Sequence, residues 1–194
     1  MKTITKTKKL TESSLLIAMA AVLSLIKVWN MPWGGSVTLL SMLPIVVLSV
    51  RYGVKRGLFV AFIYSVTQLL FGIFFDGLLA WGLTPQMLIS CIMCDYIIAF
   101  TVIGLSGMFR NKGISGIMTG TVIAVALRFL SHVASGVFIF ASAGKLWEGF
   151  STDNTLIYSI VYNSCYMLPE LIFTLLGVYL LYKAPKTAEF LKGN

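Results

Sequence analysis

ISGIMTGTVIAVALRFLSHVASGVFIFAS, residues 114–142, is mostly apolar, and Arg128 and His132 are its only ionisable side chains. A helix needs about 20 mostly apolar residues to cross a hydrocarbon core of about 30 Å, so this stretch reads as a membrane-spanning helix with two groups that are costly to insert. Five further stretches have the same character, at approximately 13–29, 37–52, 57–75, 85–108 and 155–182, the second of them short. The expected fold is an all-α integral membrane protein, a bundle of six transmembrane helices in one domain spanning 1–194. Composition agrees. The chain is 58% hydrophobic and 11% charged with a mean hydropathy of +0.90, against about 25% charged in soluble domains.

The net charge of +8 in a soluble chain would raise the question of nucleic acid. Here 12 of the 15 basic residues fall in clusters that flank apolar runs on one side: Lys2, Lys6, Lys8 and Lys9, then Arg51, Lys55 and Arg56, then Arg110 and Lys112, then Lys183, Lys186 and Lys192. The positive-inside rule accounts for them without a nucleic-acid partner. It places both termini and loops 2–3 and 4–5 in the cytoplasm of a bacterial cell with the chain multi-pass in the plasma membrane. Trp33 to Gly35, Asp76 to Pro85 and Lys145 to Asn154 then face outward. The opening MKTITKTKKL resembles a signal peptide, and is read as part of a retained first helix because the whole chain is hydrophobic.

Catalytic signatures are missing. Cys91, Cys94 and Cys165 have no nearby partners for a zinc site, HExxH and G-x-S-x-G do not occur, and Gly144-Lys145-Leu146 lacks the rest of a P-loop. The chain is expected to be no enzyme, to hold no cofactor and to leave ATP hydrolysis to a partner. No internal repeat points to a two-halved secondary transporter.

Ionisable groups within membrane segments default to functional readings. Asp95, Arg128, His132 and Glu170 are such groups. Arg128 and His132 stand one turn apart, and Gly136 and Phe140 continue their stripe. Tyr96, Tyr158, Tyr162, Asn163 and Tyr166 fall at similar depth toward the outer side. A carboxylate among aromatics, with imidazole and amide beside it, suits a flat heteroaromatic cation. The bland alternative is an Asp95–Arg128 ion pair with His132 bonded to backbone. For Glu170, after Pro169, the alternative is to satisfy backbone groups freed in a kinked helix.

Four stretches carry a resemblance: Gly34-Gly35-Ser36-Val37-Thr38-Leu39-Leu40-Ser41-Met42-Leu43-Pro44-Ile45; Asp95-Tyr96-Ile97-Ile98-Ala99-Phe100 with Gly107-Met108-Phe109-Arg110; Arg128 to Phe138; and Tyr158 to Asn163 with Tyr166 to Glu170. In order and spacing they resemble the ThiT/YuaJ thiamine transporter family. The resemblance implies the substrate-binding S component of an energy-coupling factor (ECF) transporter, which captures thiamine outside and relies on a transmembrane coupling protein and two ATPase subunits. It implies a thiamine site of Asp95, Tyr96, His132, Gly136, Tyr158 and Asn163, with Arg128 meeting the phosphate of phosphorylated thiamine and Trp33 in a lid.

This chain has Phe140 where some members carry a stacking tryptophan, for which Trp147 is a candidate substitute, and Asp95 where some carry glutamate. Ala20 with Ser24, beside Ala18 and Ala21, are candidates for docking the coupling protein. Competing readings are an S component for another vitamin, a solitary proton-coupled carrier using Asp95, His132 or Glu170, and a membrane enzyme acting on a lipid.

Overall fold

The computed structural model describes residues 5–31 and 34–192. Long helices account for most of it. α1 (Lys6–Leu25) is followed by a hairpin of β1 (Lys27–Asn30) and β2 (Ser36–Thr38), then by α2 (Leu43–Tyr52) and α3 (Val54–Phe74). Residues 85–112 are one helical segment of changing pitch: α4 (Pro85–Cys91), a π-helical stretch (Ile92–Ile98), α5 (Ala99–Thr101) and a 3₁₀ stretch (Val102–Lys112). α6 (Gly113–Ser135) ends in a second π-helical turn (Gly136–Phe140). A hairpin of β3 (Gly144–Trp147) and β4 (Phe150–Thr152) leads to α7 (Thr155–Lys183) and α8 (Pro185–Lys192).

Three helical stretches are long and apolar enough to cross a membrane: Val54–Phe74, Pro85–Phe140 and Thr155–Lys183. The second would extend about 84 Å if straight, at about 1.5 Å per residue. It bends instead at Phe109, whose backbone leaves helical values, and at Gly113, with φ +69°. Its halves fold back on each other: Ser131 Oγ donates to the Cys94 carbonyl at 2.6 Å, and Gly116 and Gly120 lie against the Phe109 and Ser106 carbonyls. That is an antiparallel helical hairpin.

The sequence reading needs correction at the first two segments. The helix expected at 13–29 ends at Leu25, and 27–30 is a strand. The helix expected at 37–52 begins at Leu43, with Pro44 in its first turn and 36–38 extended. At ten residues α2 is about 15 Å long, and nearly all of it is buried. Burial is what permits the extended backbone ahead of it, because its polar groups meet protein. The remaining segments agree to within a few residues.

Contacts define two ends of the bundle. At one, Arg51 pairs with Glu12 at 2.7 Å and donates to the Phe190 carbonyl, while Arg110 caps the end of α2 through the Val50 and Arg51 carbonyls at 3.3 and 3.1 Å. The tight turn between α2 and α3 is made by Gly53 at φ +86°, directly under that guanidinium. At the other end, hairpin β1–β2 meets the loop after α3 through Lys27–Asp76 at 2.5 Å, and meets α7 through Gly35 N–H donating to Tyr162 Oη at 3.1 Å. Ala20 and Ser24 are buried, Ser24 accepting from Gln68 at 2.9 Å, so that pair is turned into the bundle and away from any docking partner; Ala18 is exposed.

Gly57 and Gly104 face each other where α3 crosses the 3₁₀ stretch, and a Cβ on either would strike the other's backbone. Overpacking of this kind costs about 1–3 kcal/mol. Gly104→Val is expected to lower the thermal midpoint of the detergent-solubilised protein by several degrees, whereas Ala18→Val, at an exposed position of α1, changes it far less. Equal shifts would contradict this packing.

Candidate functional site

A cavity of about 620 Å³ opens between the β1–β2 hairpin, the loop after α3, the 85–112 segment, α6 and α7. Local backbone form decides what lines it. An ideal α-helix drifts about 40° over four residues, so a stripe at i, i+4, i+8 and i+12 walks off one face. The wider π-helical turn Gly136–Phe140 offsets that drift, and Arg128, His132, Gly136 and Phe140 all reach the cavity. The π-helical stretch Ile92–Ile98 likewise presents Asp95 and Tyr96, the latter seated on Gly72. On α7, whose first turn is capped by Asn154 Oδ1 accepting from Leu156 and Ile157 N–H at 3.0 and 3.1 Å, one face carries Tyr158, Tyr162, Asn163, Tyr166 and Glu170.

Asp95 is held from both sides. His132 Nδ1 lies 2.8 Å from its Oδ1, and Ser135 Oγ donates to its Oδ2. A carboxylate only accepts, so Nδ1 carries the proton and Nε2 is left buried with no partner among the described residues. Asn163 Nδ2 donates to the Ser159 carbonyl at 2.8 Å, and its Oδ1 accepts from Tyr166 Oη at 2.6 Å, which fixes the amide's orientation.

Deeper, Arg128 pairs with Glu170 Oε2 at 3.1 Å, lies 4.3 Å from the Phe100 ring centre and reaches Met42 Sδ at 2.9 Å. The other oxygen of Glu170 accepts from Thr38 N–H at 3.0 Å and from Thr38 Oγ1. Glu170 and Arg128 are 3% and 6% exposed, which makes this a buried ion pair. The upper wall is aromatic: Trp81 lies edge-on to Phe140 at 6.2 Å, and Tyr158 and Tyr162 are near-parallel at 6.3 Å. Gly35 touches Tyr162 and Tyr166 so closely that a Cβ there would collide. Such a cavity offers a carboxylate, an imidazole edge and stacked rings to a flat cation.

The family model for the thiamine transporter protein (Thia_YuaJ) matches residues 10–189. The chain belongs to that family. Thiamine transporter ThiT of Bacillus subtilis (strain 168) is 32% identical to it, with 90% of each chain covered. A solved structure of ThiT from Listeria monocytogenes aligns with a TM-score of 0.69 over 92% of this chain and 96% of that one, at 23% identity, a likeness of fold.

Asp95, Tyr96, Arg128, His132, Gly136, Phe140, Tyr158 and Asn163, singled out from sequence, line this one cavity; Trp33 lies outside the described residues. Two alternatives that the sequence left open are settled against. Asp95 and Arg128 do not pair: each has its own partner on another helix, and His132 bonds to Asp95 instead of backbone. Trp147 stacks on Phe150 at 5.1 Å in the exposed β3–β4 hairpin and is not on the cavity wall. Trp81, unmarked in the sequence reading, stands beside Phe140. Ser135 was also missed, although its i+3 spacing from His132 puts it on the same face, and Glu170 satisfies backbone of β2 rather than of its own helix.

Gly136 packs onto Ser159, where a Cβ would collide, so Gly136 sets how closely α6 and α7 approach. Removing one member of a buried ion pair costs about 3–5 kcal/mol, while replacing both by apolar residues is often near neutral. Arg128→Met is therefore expected to destabilise the purified protein strongly, and Arg128→Met with Glu170→Leu clearly less, limited by the lost Thr38 contacts. Additive losses in thermal unfolding would count against the pair.

Proposed function

We propose that this chain binds thiamine at the outer side of the bacterial plasma membrane and acts as the substrate-binding S component of an ECF transporter. A transmembrane coupling protein and two ATPase subunits supply the energy. The observation that carries this is the Asp95–His132–Ser135 arrangement facing a cavity walled by Trp81, Phe140, Tyr158 and Tyr162. It supports a ligand with a delocalised positive charge and flat rings, and thiamine joins a cationic thiazolium to an aminopyrimidine. The relative from Bacillus subtilis, named as a thiamine transporter, supports the same substrate.

In this reading Asp95 provides the countercharge, and His132 Nε2, as an acceptor, takes a hydrogen bond from a ligand donor. Tyr96, Tyr158 and the Trp81–Phe140 pair supply stacking surfaces, Asn163 a polar edge, and Gly136 the close helix approach that leaves room for the rings. Trp33 and the β1–β2 hairpin form the lid. The chain crosses the membrane six times with both termini cytoplasmic. The end holding Arg51, Arg110 and Lys183 faces inward, in accord with the positive-inside rule, and α2 completes its crossing with the extended residues before it, which add about 3.3 Å each.

Asp95→Asn is expected to weaken thiamine binding at least tenfold, equivalent to about 1.4 kcal/mol, while affecting the neutral aminopyrimidine half of the molecule much less. Fluorescence titration of the purified protein measures both, with Trp81 as the reporter. Equal losses for the two ligands would assign Asp95 a structural role. Uptake of labelled thiamine by cells is expected to stop when the ATPase subunits are deleted; uptake that persists would favour a solitary proton-coupled carrier.

A further inference from the structure

His132 is the only histidine in the chain, and imidazole is the side chain that ordinarily gains and loses its charge between about pH 5 and 8. It stands in a cavity whose strong bases are already matched. Lys27 pairs with Asp76 at 2.5 Å and Arg128 with Glu170 at 3.1 Å. Asp95 meets only the His132 ring, at 2.8 Å, and the Ser135 hydroxyl. The charge of the described lining is therefore set by one proton. With a neutral ring Asp95 stands as a single uncompensated negative charge, and with a protonated ring that charge is cancelled.

Other groups around the ring belong to a different pH range. Tyr96 reaches the cavity from the 85–112 segment and Tyr158, Tyr162 and Tyr166 from α7, Tyr166 lying edge-on to the imidazole at 6.2 Å. Cys91 and Cys94 stand just before Asp95. Phenols ordinarily ionise near about pH 10 and thiols above about pH 8. Arg128, one turn away on α6, is held by Glu170 of α7.

The geometry also says which proton comes and goes. A carboxylate only accepts, so Nδ1 keeps its proton toward Asp95 in either state. Nε2, buried without a partner among the described residues, is the atom that changes. A proton there turns an acceptor into a donor and puts a positive charge beside the carboxylate that a cationic ligand needs, and like charges sharing one buried countercharge oppose each other.

We infer that His132 is a proton site in competition with the ligand: the cavity takes its cation with the ring neutral, a cation binding to the protonated protein expels one proton from Nε2 to water, and affinity falls as the outer medium turns acidic. This rests on the thiamine reading above and adds a regulation to it. The proton leaves on the side from which the ligand came, so the exchange tunes capture and does no transport work.

The histidine is its own reporter. The purified full chain, freed of any tag and carrying isotope-labelled histidine, gives one imidazole signal, which NMR follows against pH with and without saturating thiamine. Thiamine is expected to lower the midpoint of the ring's titration; an unmoved or raised midpoint would overturn the inference. Calorimetric titration from about pH 8 to about pH 6, above the range in which an aminopyrimidine takes up a proton, is expected to show the dissociation constant rising by up to about tenfold per pH unit, the limit for one proton. A constant value across that range would also overturn it. His132→Asn keeps a donor toward Asp95 but has no ring to protonate, so its affinity is expected to be weaker and independent of pH; a wild-type slope in this variant would assign the proton elsewhere and overturn the inference. If His132→Asn does not stay monodisperse or no longer binds, the NMR midpoint of the wild type decides. Absence of thiamine binding by wild type at every pH would overturn the function reading, and this inference with it, whereas binding that leaves the midpoint unmoved would overturn this inference alone.

Discussion

The carboxylate of Glu170 accepts from the Thr38 amide and hydroxyl and from Arg128, joining α7, the strand before α2 and α6 at one buried point. Extended backbone inside an apolar bundle is stable only if its polar groups find partners there, because neither lipid nor water is available to them. Thr38 finds Glu170. A carboxylate so buried in turn needs a cation, and Arg128 supplies it. From this linked pair of requirements follow the short α2, the position of the β1–β2 hairpin over the tyrosines of α7, and the floor of the cavity.

Above that floor the cavity is organised by helix pitch. Two π-helical stretches, Ile92–Ile98 and Gly136–Phe140, flank it and turn Asp95, Tyr96 and Phe140 toward its interior. Ser135 and His132 then hold Asp95 in one orientation before any ligand arrives, so little ordering is left to be done on binding. The two carboxylates take different parts. Glu170 is consumed by structure, and Asp95, with no strong base opposite it, is the one that the proposed function assigns to a cationic ligand.

Much of this was legible in the sequence. Apolar runs and flanking lysines and arginines gave four of the six helical segments nearly as they stand, and the i, i+4 spacing of Arg128 and His132 marked the cavity-facing stripe. What escaped was non-helical structure. Asn30, Pro32, Gly34 and Gly35 mark a turn here, but four and three residues on either side are too few for an alternating pattern to tell a strand from a helix end; the extended form is held by the β1–β2 pairing and by Thr38 meeting a glutamate 132 positions away. The partners of Asp95 and Arg128 escaped for the same reason: four ionisable groups on three segments can pair in several ways, and helix rotation, which sequence does not state, selects one. Trp81 was hidden in a loop whose fold back over Phe140 depends on its indole N–H reaching the Asp76 carbonyl.

In the function proposed, the isolated chain carries a complete, pre-organised site for a cationic ligand and needs energising partners only for transport. Isothermal titration of the purified chain with thiamine, with no other subunit present, tests it most directly. Saturable binding of one thiamine per chain is the result expected. No heat of binding by the chain alone, with binding appearing only when a coupling protein and ATPases are added, would contradict it.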